Sequence, residues 1–226
     1  QLFQIGFGGV PGRPAGDGPD GHSLWPGFTN VPNEFIESYF PLRIERYETI
    51  PDSGGAGLHR GGNGLCVAYR FLSDGSIGIH DERWLVHPWG VLGGDVGMRS
   101  TKKLVRKDGS EEWLPSKCDG VKVNEGDLLY FNTWGGGGWG DPLARDAELV
   151  LADVKRNLAT ADGARNYGVV ITNNVVDTAA TEKLREKMHS ERGDIETFNF
   201  GPNIETVRAN CKAETGLDAP SQPVFR

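Results

Sequence analysis

The sequence predicts an α+β chain: a Gly-rich antiparallel β body, sandwich or barrel-like, followed by a helical C-terminal region. Three observations predict it. Short alternating or apolar runs separated by Asp-Gly turns occupy the chain up to Asp141, where all six tryptophans also lie. Helical periodicity flanked by capping residues dominates only after that point. Glycine accounts for 33 of the 226 residues, roughly twice the ordinary share of about 7%. The expected division is therefore a β-rich Gly-loop domain over 1–141, then a mainly helical region with an extended tail over 142–226.

The expected strands are Leu65–Leu72, Ser76–His80, Lys103–Arg106, Gly120–Val123 and Asp127–Asn132. Ser73-Asp74-Gly75 and Lys107-Asp108-Gly109 read as hairpin turns, because Asp and Gly tolerate positive φ. Asn124-Glu125-Gly126-Asp127 is a further turn. One early helix is expected at Pro32–Phe40, with Asn30 as its cap. Past the boundary, Asp141-Pro142 opens a helix through Asn157, with Leu143, Val150, Leu151 and Val154 on one face. Thr160 caps a short helix over Ala161–Arg165 that ends at Tyr167-Gly168, and Val169–Ile171 is a short strand. Asp177 or Thr178 caps a helix to Arg192 stopped by Gly193, and Asn203 starts one to Thr215 stopped by Gly216. The tail Ala219–Arg226 is expected to be extended.

The net charge of −7 argues against a nucleic-acid partner, since phosphate binding needs a basic face. There is no run of about 18 apolar residues, so no membrane span is expected. Cys66, Cys118 and Cys211 are scattered and odd in number, which fits a reducing, cytoplasmic setting and excludes a disulfide scaffold or a Cys-based zinc site. The first residue is Gln1 rather than Met, which reads as a processed, truncated or partial chain, and the Gly-rich start favours a fragment of a longer polypeptide.

Four glycine clusters fall at Gly6–Gly21, Gly54–Gly57, Gly61-Gly62 and Gly135–Gly140. Glycine serves positive φ or close backbone approach, so each cluster either cradles an anion with backbone N–H groups or packs backbone on backbone; packing is favoured. Gly135–Gly140 satisfies G-x-G-x-x-G between a strand and a helix, but a glycine run matches that pattern trivially and Val169–Ile171 ends in no ribose-binding acid. His80-Asp81-Glu82 with His87 could hold a divalent ion, or His80 could simply be hydrogen-bonded to a carboxylate at a strand end, the favoured alternative. Arg60 beside Gly-rich backbone is either an anion clamp or a loop tie. The site expectation is Arg60 orienting an anionic group, with His80 and Asp81 as a proton-transfer pair.

Longer blocks add a resemblance. Asn33–Leu42, the D-S-G-G-x-G-x-x-R-G-G block from Asp52 to Gly62, Pro88–Gly94, Gly126-Asp127, Thr133–Leu143 and Ala164–Val170 stand in order. Together they resemble the hydantoinase B/oxoprolinase family over about residues 6–171. Gly16–Leu24, Ser116–Asp119 and Thr133–Gly135 look more like its ketone carboxylase branch.

The resemblance implies a multi-subunit, ATP-dependent, carbonyl-activating enzyme. A hydantoinase A-like partner binds ATP and the carbonyl oxygen is phosphorylated. The leading expectation is an acetone/acetophenone-type carboxylase; the alternative is a cyclic amide hydrolase of the hydantoinase, 5-oxoprolinase or lactamase type. Only the C-terminal part of the family pattern is matched. The family's divalent metal is thus expected in the N-terminal part, supplied by another polypeptide or a preceding segment, and no metal ligand is assigned here. The chain alone is expected to be inactive. A different class of reading is a non-catalytic scaffold subunit.

Overall fold

The computed structural model describes residues 1–22, 27 and 29–221. Ser23, Leu24 and most of the expected tail lie outside the described residues.

The first strands are β1 (Leu42–Thr49), β2 (Leu65–Phe71), β3 (Gly75–His80), β4 (Gly90–Val91), β5 (Thr101–Val105) and β6 (Glu111–Trp113). They are followed by β7 (Lys117–Val123) and β8 (Leu128–Asn132). A five-stranded antiparallel sheet has the order β1-β2-β8-β5-β6, and β3 pairs with β7 in a separate two-stranded sheet. Side chains from both sheets, including Phe71, Ile79, Leu104, Val123 and Leu129, share one core, so the β body is a sandwich. The α+β class stands as expected.

The strand pairing corrects one turn reading. Lys107-Asp108-Gly109 does make the β5–β6 hairpin, with Gly109 at φ +86° and Asp108 Oδ1 accepting from the Ser110 N–H at 2.9 Å. Ser73-Asp74-Gly75 does not close a hairpin; it carries the chain from β2 to β3 in the other sheet. Asp74 there accepts from the Glu125 N–H at 2.9 Å, tying together the two turns that cross between sheets. The strand β1 was not expected, and its pairing explains why. A register shift between Ile44 and Arg46 breaks the alternation that would mark a strand in sequence.

Between the strands lies a body of mostly irregular segments, around residues 8–21, 53–64, 88–98 and 133–140, in which the two-residue β4 is the only named strand among the described residues. They bond to one another by backbone: Gly9 N–H to Trp134, Gly12 to Gly137, Gly55 to Gly136, Gly62 to Val10, Gly136 to Gly62 and Gly138 to Asp95, at 2.7–2.8 Å. This settles the glycine clusters in favour of packing. The logic is that of collagen, where only Gly fits at a crowded axis. In the Gly135–Gly140 run the N–H groups of Gly135, Gly136, Gly138 and Gly140 all donate to carbonyls of neighbouring segments. With the Trp139 N–H bonded to the His59 carbonyl as well, five of the six amides of the run are engaged by neighbouring backbone and do not converge on a phosphate.

The helices are α1 (Asn33–Tyr39), α2 (Ala147–Lys155), α3 (Thr178–Glu191) and α4 (Ile204–Thr215). Asn30 does not cap α1; its side chain exchanges two hydrogen bonds with the backbone of Ile5, at 2.9 and 2.7 Å. The helix expected from Pro142 to Asn157 is broken. Asp141 caps a 3-10 turn over Pro142–Ala144, Arg145 is extended, and Asp146 caps α2 anew. The Thr160 segment is a 3-10 helix, Gly163–Tyr167, ended by left-handed Gly168. The strand expected at Val169–Ile171 shifts to β9 (Ile171–Thr172), paired with β10 (Val175–Val176). Asp177 and Asn203 cap α3 and α4 as read, and Gly216 ends α4 at φ +70°. Gly193 does not stop α3, which ends at extended Arg192. Finally β11 (Phe198–Asn199) pairs with β4.

Candidate functional site

Arg60 sits in the glycine body with 8% of its surface exposed. Its guanidinium grips Asp20 with both terminal nitrogens, at 2.7 and 3.1 Å, and Nε lies 3.5 Å from Asp153 Oδ2. Its backbone N–H donates to Asp17 Oδ1 at 2.9 Å. Arg145 makes the matching fork on Asp17, at 2.6 and 2.8 Å, and reaches Asp153 at 2.9 Å. Two guanidinium groups are thus shared among three carboxylates drawn from the N-terminal loop and α2. The adjoining cavity, bordered by Asp52, Asn63 and Tyr167, holds ≈ 10 Å³, about one water molecule. Arg60 therefore clamps carboxylates of its own chain, and its geometry is that of a tie between segments.

Electrostatics agrees with that role. Burial pushes the Asp17 carboxyl up, but Arg145 and Arg60 outweigh it and hold the group below its ordinary range. Burial likewise pushes the Tyr167 phenol up, only partly offset by Arg145. A carboxyl depressed in the folded state contributes stability above its unfolded pKa and loses it as pH falls through the folded value. Thermal melts from pH 6 down to pH 2 should accordingly show a smaller acid loss for Asp17→Asn than for the native chain. Equal slopes would contradict the assignment.

His80 and Asp81 do not meet. They are neighbours at the end of β3, and their side chains take opposite directions, as successive strand residues do. His80 is exposed, with Nε2 3.2 Å from Asp119 Oδ1 on β7. Asp81 turns inward to pair with Lys102 Nζ and accept from the Ser100 hydroxyl. Lys102 is fully buried, and its ammonium also lies 4.5 Å over the Phe131 ring. Burial depresses the Lys102 ammonium below its usual range, and Asp81 offsets this only in part. His87 is tied elsewhere, with Nδ1 2.9 Å from the Gly97 carbonyl, to which it donates.

An open cleft of ≈ 800 Å³ lies between the two sheets. Phe71, Ile77, Ile79, Leu129 and Phe131 contribute apolar lining, residues 1–7 form one wall, and His80 and Asp119 stand together at its edge. Burial pushes the phenol of Tyr69, another lining residue, up to about 12. A Cβ at Gly78 would come 2.5 Å from the Asp119 carboxylate oxygen, so a larger residue there would push the exposed Asp119 side chain aside. The space is within the size range of small-molecule clefts.

Sequence reasoning missed Lys102, Arg145, Asp17 and Asp119 as members of these clusters. Lys102 carried a readable signal: in Thr101–Val105 it shares the inward face with Leu104, an unusual place for an ammonium. The others are brought together only by the fold. Among the described residues no group of three His, Cys, Asp or Glu side chains could hold a metal ion. Among the described residues no helix is long and apolar enough to cross a membrane.

Comparison with known proteins places these features. The chain is 37% identical over 161 residues to the beta subunit of the caprolactamase of Pseudomonas jessenii, covering 67% of this chain and 27% of that protein. It is 34% identical over 189 residues to the B subunit of a putative D-/L-hydantoinase of a Pseudomonas species, covering 82% and 32%. To the acetophenone carboxylase delta subunit of Aromatoleum aromaticum it is 28% identical over 227 residues, covering 84% and 33%. In the crystal structure of the ATP-dependent caprolactamase from Pseudomonas jessenii the TM-score is 0.61 at 30% identity, over 79% of this chain and 32% of that one. The chain thus spans about a third of the length of these relatives. The Hydantoinase B/oxoprolinase family model matches residues 1–142, and with the glycine-packed body in place the chain belongs to that family.

Proposed function

We propose that this chain is the C-terminal portion of a subunit, or a split subunit, in a multi-subunit enzyme that activates a carbonyl oxygen with ATP. A hydantoinase A-like partner binds the nucleotide, and another stretch of polypeptide supplies the rest of the family fold and its metal. Phosphorylation turns a poor electrophile into a competent one. In the cyclic amide version the carbonyl oxygen takes the γ-phosphoryl group of ATP, releasing ADP; water adds to the carbon, the ring C–N bond opens to leave an acyl phosphate and the freed amine, and a second water releases phosphate to give the carboxylate. The observation that carries the proposal is the family match over residues 1–142. The 37% and 34% identities to the caprolactamase and hydantoinase subunits favour the cyclic amide version. Ketone carboxylation, the leading expectation from the sequence, is the second reading, supported by the acetophenone carboxylase alignment that covers 84% of the chain. In it the enol phosphate carbon bonds to the carboxyl carbon of carboxyphosphate, expelling phosphate, and water takes the enol phosphoryl group to leave a 3-oxo acid. Cys66, Cys118 and Cys211 are free thiols, which supports a reducing, cytoplasmic setting.

Within the assembly Arg60 is a positioning residue and Asp81 holds Lys102, while exposed His80, backed by Asp119, is the proton carrier. The test is turnover of the native particle with a lactam or hydantoin, with and without ATP and bicarbonate. ATP-dependent ring opening that needs no bicarbonate is expected. A strict bicarbonate requirement with a ketone assigns carboxylation instead, and no ATP dependence with either substrate overturns the proposal. In the same particle His80→Ala is expected to lower turnover about 100-fold with the assembly intact. Unchanged turnover would support a scaffold role for this chain.

A further inference from the structure

An apolar cleft of ≈ 800 Å³ is far larger than the voids a close-packed interior tolerates. Its apolar surroundings extend onto the outside of the molecule. Phe3 is 78% exposed and Tyr47 49%, and both line it. Beside β1, which carries Tyr47, α1 presents Phe35 and Tyr39 to solvent as a stacked pair with centroids 4.2 Å apart. The helix is held to that strand by Glu37, which accepts from the Ile44 N–H at 2.8 Å. Cleft wall, β1 and α1 thus form a connected, aromatic-rich surface, the kind that marks an interaction site.

We propose that this surface is the seat of the polypeptide that supplies the other two-thirds of the hydantoinase B fold, on whichever chain it resides. The inference rests on the family reading given above and adds where the two parts meet. Three observations select that occupant. The matched part is only 32% of the caprolactamase chain, so a complete family member brings about twice as much polypeptide again, and that polypeptide must pack somewhere. Residues 1–7, to which the proposed reading joins the N-terminal part of the family pattern, themselves form a wall of the cleft. The lining combines aliphatic and aromatic side chains from two sheets with the uncharged polar Gln4, Asn30, Ser76 and Thr133, and its charge is confined to Asp74, His80 and Asp119, a mixture suited to a polypeptide that brings both apolar side chains and hydrogen-bonding groups. The fitting partner is an apolar segment entering between the sheets, with a cation or N–H group facing the carboxylates at the edge. On this placement His80 and Asp119 lie at the junction of the two parts, where each can contribute to one site.

The test uses the native particle. Tyr47→p-benzoylphenylalanine is incorporated and irradiated, with Leu149→p-benzoylphenylalanine on the exposed face of α2 as the reference. Cross-links from position 47 should fall on the polypeptide carrying the remaining family fold, at least tenfold more often than from position 149. Cross-links from position 47 to the nucleotide-binding partner, to a second copy of this chain, or at no more than the reference yield would overturn the placement. As a second measurement, Tyr47→Glu should weaken retention of that polypeptide about tenfold while the melting profile of this chain is unchanged; undiminished retention counts against the proposal. A particle with no such polypeptide would sink the split-subunit reading itself. A particle that contains it but leaves the cleft unlinked sinks only the docking site.

Discussion

Gly137→Ala is expected to cost at least about 3 kcal/mol, the upper end of what overpacking usually costs, and to lower the melting temperature by roughly 10 °C. A Cβ at Gly137 would fall on the carbonyl oxygen of Trp89, far inside the 3.0 Å that real Cβ atoms keep. That neighbour is backbone, so no side chain can swing away, and the segments on both sides are fixed by their own hydrogen bonds. Gly135 and Gly138 meet the carbonyls of Ser53 and Ala56 in the same way. Gly193→Ala is the control: nothing lies within 4 Å of its Cβ position, and the change should stay within about 0.5 kcal/mol. Thermal and urea unfolding of the two variants decide the matter. If Gly137→Ala melts like Gly193→Ala, the glycine body is not a backbone-packed layer.

Lys102→Met should destabilise the chain by about 3–5 kcal/mol, because it leaves the Asp81 carboxylate buried without its counter-charge. The cost comes from the partner left behind. Replacing both, as Lys102→Met with Asp81→Leu, should therefore recover most of the loss, since well-packed apolar residues often match a buried pair. Urea midpoints for the two singles and the double complete the cycle. A Lys102→Met loss below about 1 kcal/mol would contradict it, since exposed pairs are worth that little. The same geometry separates Asp81 from His80 in function. Asp81→Ala should lower turnover only by lowering the folded fraction, whereas His80→Ala should lower turnover per folded molecule.

Much of the fold was legible because its determinants are local. Asp177 and Asn203 cap helices through N–H groups three residues on, and Gly109 turns a hairpin at φ +86°; these are decided within a few residues. The glycine excess likewise announced close backbone approach. The alternation of Thr101–Val105 even carried Lys102 to the core face, although the ammonium alone argued against it.

By itself the sequence determined the class of fold, most strand and helix positions, the family, and the residue types that carry chemistry. Tertiary structure decided the partners. Nothing near Arg60 in sequence shows that Asp20 and Asp153 will hold it. Nor does Ser73-Asp74-Gly75 reveal that it leads to another sheet, because a tight turn fixes the chain's direction and not the strand waiting beyond it. His80 and Asp81 read as a pair because they are adjacent, yet a strand sends adjacent side chains to opposite faces. One faces solvent beside Asp119 and the other a buried lysine, and that separation is set by the two sheets packing on each other, which no local pattern encodes.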